Sequence, residues 1–301
     1  MKTTAKQLTT YGNLGIVQVR MDPETIFSFK PAGLELGTGG LIISEATGEG
    51  VVGKLFALNN TNSYLLLTDA DVLVGAKQNR ILNKSILLPP LSKTILDVSC
   101  IERLRWQYNA KNFSSPNTTA DPDLRKEKAE SIACKRINPD VKRPETQSTV
   151  WSHVERKIKE KGFNDTTENY TGLINFSMKK SGQEFPVCEP ETRCNGLAVV
   201  LDGKVVCLDL FGTEVVYKYY FPMLRDSAFR MAYSGKENKP VDIHEAYYKV
   251  LETLDNIETA KRHRESSYDG AGSLNVIEIK EHIGFELKYE GQLIHDVIFL
   301  K

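Results

Sequence analysis

The sequence predicts an α+β fold. It reads as a β-rich N-terminal region of sandwich-like or barrel-like kind, a helical middle segment, and a mixed C-terminal region with a β-hairpin. Three observations predict it. Short apolar or alternating runs, bounded by Gly, Asn, Pro and Ser, fill the early part of the chain. Apolar residues at helical spacing take over after Asp123. Two apolar runs then flank Asp202-Gly203, a pair suited to the positive φ angles of a two-residue turn.

Taken in order, "LGIVQVR" (14–20), "VVGKLFALNN" (51–60), "SYLLLT" (63–68), "ILNKSILLPP" (81–90) and "KTILDVSCI" (93–101) read as strands. Pro89-Pro90 ends one of them, because proline has no N–H to give a ladder. "YNAKNFSSPNTTADPD" (108–123) is a polar linker, and Asp123 opens a charged helix to Ile137 whose few apolar positions predict a largely solvated element. A second helix (145–161) carries Val150, Trp151, Val154 and Ile158 on one face and stops at Gly162. A third pattern sets Tyr170, Leu173, Ile174 and Ser177 on one face before Gly182.

The hairpin spans 197–211. A helix over 213–232 follows, with Pro222 predicting a kink or break inside it. Another helix is expected over 242–265, with Ile243, Tyr247, Leu251, Leu254 and Ile257 as its buried stripe. "LNVIEIK" and "FELKYEGQLIHDVIF" close the chain as strands around a turn at Glu290-Gly291. The regions 1–107, 108–182 and 183–301 are expected to form one unit.

Bulk properties exclude several classes. The chain of 301 residues is 41% apolar and 26% charged, as globular proteins are. Lys plus Arg balances Asp plus Glu at 39 each, so no bulk field would hold it on nucleic acid or on an acidic membrane. The N-terminal stretch lacks an apolar core, and no run approaches the roughly 20 apolar residues of a membrane helix. Five cysteines without a CxxC pair argue against a zinc ribbon or a disulfide framework, and the expected compartment is the cytoplasm. The five histidines show no helical metal spacing, and there is no Walker loop, GxGxxG or G-x-S-x-G elbow. No metal is therefore expected, no cofactor is indicated, and a homo-oligomer stays open.

Two polar clusters interrupt the apolar pattern. "GAKQNR" places Lys77, Gln78, Asn79 and Arg80 together after Gly75, with Asp69 and Asp71 upstream. Lysine and arginine suit phosphate or carboxylate, and the amides suit a base or sugar hydroxyls. "SCIERLRW" follows with Cys100, Glu102, Arg103, Arg105 and Trp106. Glu102 is a candidate for acid–base work or for an ion pair with Arg80, Asp71 faces Arg105 in charge, and Trp106 can stack on a base. The plain alternative is a polar connection with a salt-bridged strand end. Cys100 is expected to be buried and inert. Asp209, between a strand and a helix, reads as a cap ahead of a site carboxylate.

The segments "DADVLVGAKQNRILNKSILLPP", "VSCIERLRW", "STVWSHVERKIKEKG", "GLAVVLDGKVVCLDLFGT" and "QLIHDVIF" occur in an order that resembles the ARG and rhodanese-phosphatase-superfamily-associated protein domain, where ARG stands for ADP-ribosylglycohydrolase. The resemblance covers most of the chain. It implies the handling of ADP-ribose-like or NAD-derived small molecules. Lys77, Gln78, Asn79, Arg80, Arg105 and Trp106 would bind the ligand, and Glu102 and Asp71 would serve any acid–base step. A protein-interaction module, in which the same polar residues form a structural latch, is the rival expectation.

Overall fold

Turn chemistry and alternation shape most of what is seen. The computed structural model describes residues 2–47, 50–138, 140–141, 144–181, 188–232, 240–279 and 281–301. Two strands, β1 (Lys2–Tyr11) and β2 (Leu14–Asp22), open the chain. Eight more follow: β3 (Phe29–Pro31), β4 (Leu41–Glu45), β5 (Lys54–Asn59), β6 (Tyr64–Leu67), β7 (Val72–Gly75), β8 (Arg80–Leu82), β9 (Ile86–Leu88) and β10 (Ser92–Cys100). After the short β11 (Phe113–Ser114) come helices α1 (Pro122–Ile137), α2 (Thr146–Lys161) and α3 (Tyr170–Ser181). The last part holds β12 (Gly196–Leu201), β13 (Lys204–Phe211), α4 (Glu214–Ala232), α5 (Ile243–Glu258), β14 (Lys261–Arg264), β15 (Ser273–Ile279), β16 (His282–Tyr289) and β17 (Gln292–Leu300).

The strands form three sheets. The largest is antiparallel, in the order β1-β2-β12-β13-β17-β16-β15-β14. A six-stranded sheet, β11-β7-β8-β10-β5-β4, and a three-stranded one, β3-β6-β9, make up the smaller β region. The opening strands thus belong to the sheet of the last third: Val17 of β2 stands opposite Ala198 of β12. The N-terminal stretch carried no strand expectation, because its alternation of Lys, Thr and Gln shows no apolar face.

Two helices cover the faces of the large sheet. On one side α4 buries Val216, Tyr217, Tyr220, Phe221 and Leu224 against Ile16, Phe211, Val297 and Phe299. On the other, α5 buries Ala246, Val250, Leu254 and Ile257 against Val17, Val200, Leu208 and Ile298. Burial of large apolar side chains at about 1.5–3 kcal/mol each makes these two layers the main source of stability. A separate cluster fills the smaller β region, and another joins it to the three middle helices through Val72, Ile81, Leu124, Val150 and Tyr170.

Several expectations hold in detail. Asp202 and Gly203 take φ of 50° and 72° at the hairpin turn, and Glu290 and Gly291 take 49° and 76° at the last one. Gly162 ends α2 in the left-handed region, where its N–H caps the carbonyls of Ile158 and Lys159. The third helix ends at Ser181; its expected boundary at Gly182 lies outside the described residues.

Four expectations need correction. The helix expected over 242–265 ends at Glu258, and Lys261–Arg264 form strand β14. The outer edge of β15 offers a free ladder there, and Glu286 and Glu278 receive Arg262 and His263. Of the expected α5 stripe Leu254 and Ile257 are buried, but Ile243 and Leu251 are exposed and Ala246, Val250 and Thr253 are buried in their place. Of the kink or break expected at Pro222, the break is absent: α4 is one helix from Glu214 to Ala232. Helix α1 is not a solvated rod: Arg125 and Lys128 are wholly buried. No described helix is long and apolar enough to cross a membrane.

Candidate functional site

The two polar segments meet because β8 and β10 pair. Cys100 stands opposite Arg80, and the Ile101 N–H donates to the Asn79 carbonyl at 3.1 Å. Gly75, with φ of 131°, turns the chain at the head of GAKQNR; a Cβ there would lie 2.6 Å from the Asn112 carbonyl oxygen. That close approach admits only glycine.

One half of the cluster closes on itself. Arg105 Nη2 donates to Glu102 Oε2 at 2.6 Å, and the same oxygen accepts the Asn79 N–H at 3.1 Å. Asn79 Oδ1 accepts the Gly75 N–H, and its amide nitrogen donates to Thr171 and Asn169. Gln78 donates to the Arg103 carbonyl, and Arg105 Nη1 donates to the carbonyls of Ala76 and Gln107. Each of these groups serves as a partner for another, so this half ties the first segment to the second and to α3.

The other half is open. The Lys77 ammonium stands 5.3 Å from the Trp106 ring centroid and 5.2 Å from that of Tyr108. Both rings are large exposed hydrophobics, at 43% and 52%. Beneath Trp106 lies Arg80, wholly buried, with its guanidinium carbon 5.9 Å from the ring centroid. Arg80 Nη1 donates to Gln78 Oε1 at 3.2 Å, while Nη2 faces Glu45 Oε1 at 3.7 Å. Burial lowers the Arg80 pKa, against the opposing pull of Cys100 and Glu45.

The charge partners differ from those expected by sign alone. Arg80 faces Glu45 of β4 instead of Glu102, and Arg105 binds Glu102 instead of Asp71. The structure therefore brings Lys77, Gln78, Asn79, Arg80, Glu102, Arg105 and Trp106 together and sets Asp71 elsewhere. Glu45 and Tyr108 join the cluster without a sequence signal, Glu45 because it arrives from a distant strand. Tyr108, two residues beyond Trp106, opens the polar linker, and nothing in that stretch singles out its ring.

Asp71 belongs to a second, deeper cluster. Its Oδ2 accepts the Thr68 N–H at 2.6 Å and the Tyr220 hydroxyl at 2.9 Å. Burial pushes its pKa up to about 6, although the Thr68 and Tyr220 hydrogen bonds oppose the shift. An acid whose folded pKa is raised stabilises fully below its unfolded value near 4 and loses that contribution as pH climbs through about 6. Asp71→Asn is therefore expected to flatten the fall in stability between roughly pH 4 and 6, by about 2–3 kcal/mol. Melting temperature against pH for both proteins checks this; parallel curves would contradict it.

Beside Asp71, Arg125 of α1 bridges two buried aspartates. It donates to Asp69 at 3.0 and 2.9 Å and to Asp209 at 3.0 and 2.6 Å. Asp209 thus caps nothing. Burial raises its pKa and Arg125 with His295 more than reverse this, leaving it well below the usual carboxylate range. His295 Nε2 lies 3.3 Å from Asp209, and its Nδ1 lies 2.9 Å from the Ser85 hydroxyl. Lys128 donates to the carbonyls of Asp69 and Leu82, and burial pulls its pKa down to about 8.

Asp69, Asp209 and His295 hold ligand atoms within 4.8 Å of one another, a spacing that suits a metal. The Arg125 guanidinium supplies the positive charge between those carboxylates instead. Ser85, His295 and Asp209 form a chain like a nucleophile relay, yet all three are buried. Asp69 and Ser85 come from the smaller β region, Asp209 and His295 from the large sheet. The cluster is a polar seam between them.

Cys100 is buried beside Arg80, and burial pushes its pKa up to about 11 despite the guanidinium. All five cysteines are free. Since the thiolate is the reactive form, Cys100 is expected to resist a thiol reagent in the folded protein and to label only on unfolding. Peptide mass spectrometry after a short pulse reads this, and rapid native labelling would contradict it.

A family model, that of the ARG and Rhodanese-Phosphatase-superfamily-associated Protein domain, matches residues 2–299, and the chain belongs to this family. No curated protein and no solved structure matches it.

Proposed function

For this family member, we propose that it binds an anionic, aromatic ligand of the ADP-ribose or NAD-derived class at Lys77, Trp106 and Tyr108. The observation that carries the reading is the Lys77 ammonium held 5.3 and 5.2 Å from two ring centroids that remain open to solvent. A base stacks on such rings, and a cation beside them meets the phosphate that follows the base. The ADP-ribose class is supported by the family's name, which joins it to ARG. Arg80 sits behind Trp106 and adds positive potential to the same spot.

The reading is one of binding. Glu102 holds Arg105 and the Asn79 N–H in place, so its role here is to position the ligand-bearing segment. Asp71, bonded to Tyr220, acts away from the ligand. No metal is assigned, and the balanced charge fits neither nucleic acid nor membrane as partner. Free cysteines fit a reducing compartment, and we place the protein in the cytoplasm.

A second reading rests on the closed half of the cluster: Asn79, Glu102 and Arg105 satisfy one another as a latch should. Thermal shift with ADP-ribose, NAD and ADP separates the two. A ligand that binds only the folded state raises its melting temperature by mass action. A rise with ADP-ribose supports the site. An unchanged melting temperature with all three leaves the latch.

A further inference from the structure

We infer that Glu45 and Arg80 form a subsite for a sugar hydroxyl and its neighbouring phosphate, which makes Glu45 a ligand-specificity residue. The inference rests on the proposed binding site and deepens it. Among the described residues, three of the buried side-chain polar atoms that lack a hydrogen-bond partner gather in one place: Glu45 Oε2, Arg80 Nε and Arg80 Nη2. The others carry one atom each: Trp151 and His153 stand two residues apart on α2, and Arg230 and Asp296 lie on α4 and β17. Buried polar groups in native structures are nearly always satisfied, so a group of orphans at one point marks a missing partner.

The chemistry of the orphans names that partner. A carboxylate oxygen only accepts, so Glu45 Oε2 needs an O–H or N–H; guanidinium nitrogens only donate, so Arg80 needs an anionic or carbonyl oxygen. Glu45 Oε1 is already engaged by the Lys77 N–H at 3.2 Å and stands 3.7 Å from Arg80 Nη2, beyond hydrogen-bond reach. One molecule that offers a hydroxyl and an anionic oxygen a few ångströms apart satisfies all three orphans. A ribose phosphate does so.

Position supports the assignment. A Cβ on Gly50 would stand 3.2 Å from Trp106 Cζ2, 3.3 Å from Lys77 Cδ and 3.4 Å from Glu45 Oε2. The free oxygen of Glu45 therefore lies beside the ring on which the base stacks and the lysine that meets the phosphate. Base, hydroxyl and phosphate of one nucleotide find their partners within this span. Glu45 is 8% exposed, and an acceptor already out of bulk water discriminates strongly between a ligand that donates to it and one that cannot.

Calorimetry with ADP and 2′,3′-dideoxy-ADP tests this on the wild type and on Glu45→Gln. The two nucleotides share base and phosphates and differ only in the hydroxyls. The wild type is expected to bind ADP at least about tenfold more tightly, as a charge-assisted hydrogen bond implies. In Glu45→Gln the gap is expected to shrink to a few-fold, with dideoxy-ADP bound no more weakly than by the wild type. Equal affinity of the wild type for both nucleotides, or an undiminished gap in Glu45→Gln, overturns the inference and leaves the binding site standing. If the wild type binds neither ADP nor ADP-ribose, the underlying site reading fails and this one with it. The wild-type comparison decides even if the variant does not fold.

Discussion

Arg125→Met is expected to lower stability by about 3–5 kcal/mol, enough to unfold much of the protein at moderate temperature. Methionine fills a similar volume but leaves Asp69 and Asp209 as two buried carboxylates, each deprived of a two-pronged partner. Protonation of one or both relieves the charge, so the loss is expected to be smaller at low pH than at neutral pH. Adding Asp69→Asn and Asp209→Asn to the same chain removes the stranded charges and is expected to restore part of the loss. Denaturant midpoints for the single and triple variants check this. A single variant as stable as the wild type would show that the seam contributes little.

The second large effect is on binding. Lys77→Ala and Trp106→Ala are each expected to weaken ADP-ribose binding by about tenfold to a hundredfold, roughly 1.5–3 kcal/mol. Lys77 is half-buried and Trp106 is 43% exposed, so melting temperature should move little. Arg80→Ala behaves differently: it strands Glu45 in the interior and is expected to cost stability as well as affinity. Calorimetry and melting curves on the three variants read both quantities. Full affinity in Lys77→Ala and Trp106→Ala would sink the stacking site.

Legibility followed the range of the interaction. The Asp202-Gly203 hairpin and the Gly162 stop depend on backbone angles a few residues long, and both could be read directly. The meeting of GAKQNR with CIERLRW was legible in their complementary charges on nearby apolar runs, although β9, between them in sequence, joins another sheet. Partners across the fold were not. Glu45 reaches Arg80 from another strand, and Arg125 reaches Asp209 over a long stretch of chain. On a charged helix, Arg125 and Lys128 look like solvated residues; only the carboxylate and carbonyls waiting in the seam make their burial favourable. Strand β14 was mistaken for helix because its ladder partner, β15, is invisible in the local pattern.

The pairing of β2 with β12 sets a schedule for biosynthesis. Val17 meets Ala198 about 180 residues later, so at roughly 5–20 residues per second the opening hairpin waits on the order of ten to forty seconds for its neighbour to be translated. During that delay β12 is absent; Val17, Val19 and Met21 lack the α5 layer, and Ile16 the α4 layer, that bury them in the finished fold. The smaller β region and α1–α3 are synthesised before β12 as well. The β1–β2 hairpin is therefore made long before the strand that completes its sheet.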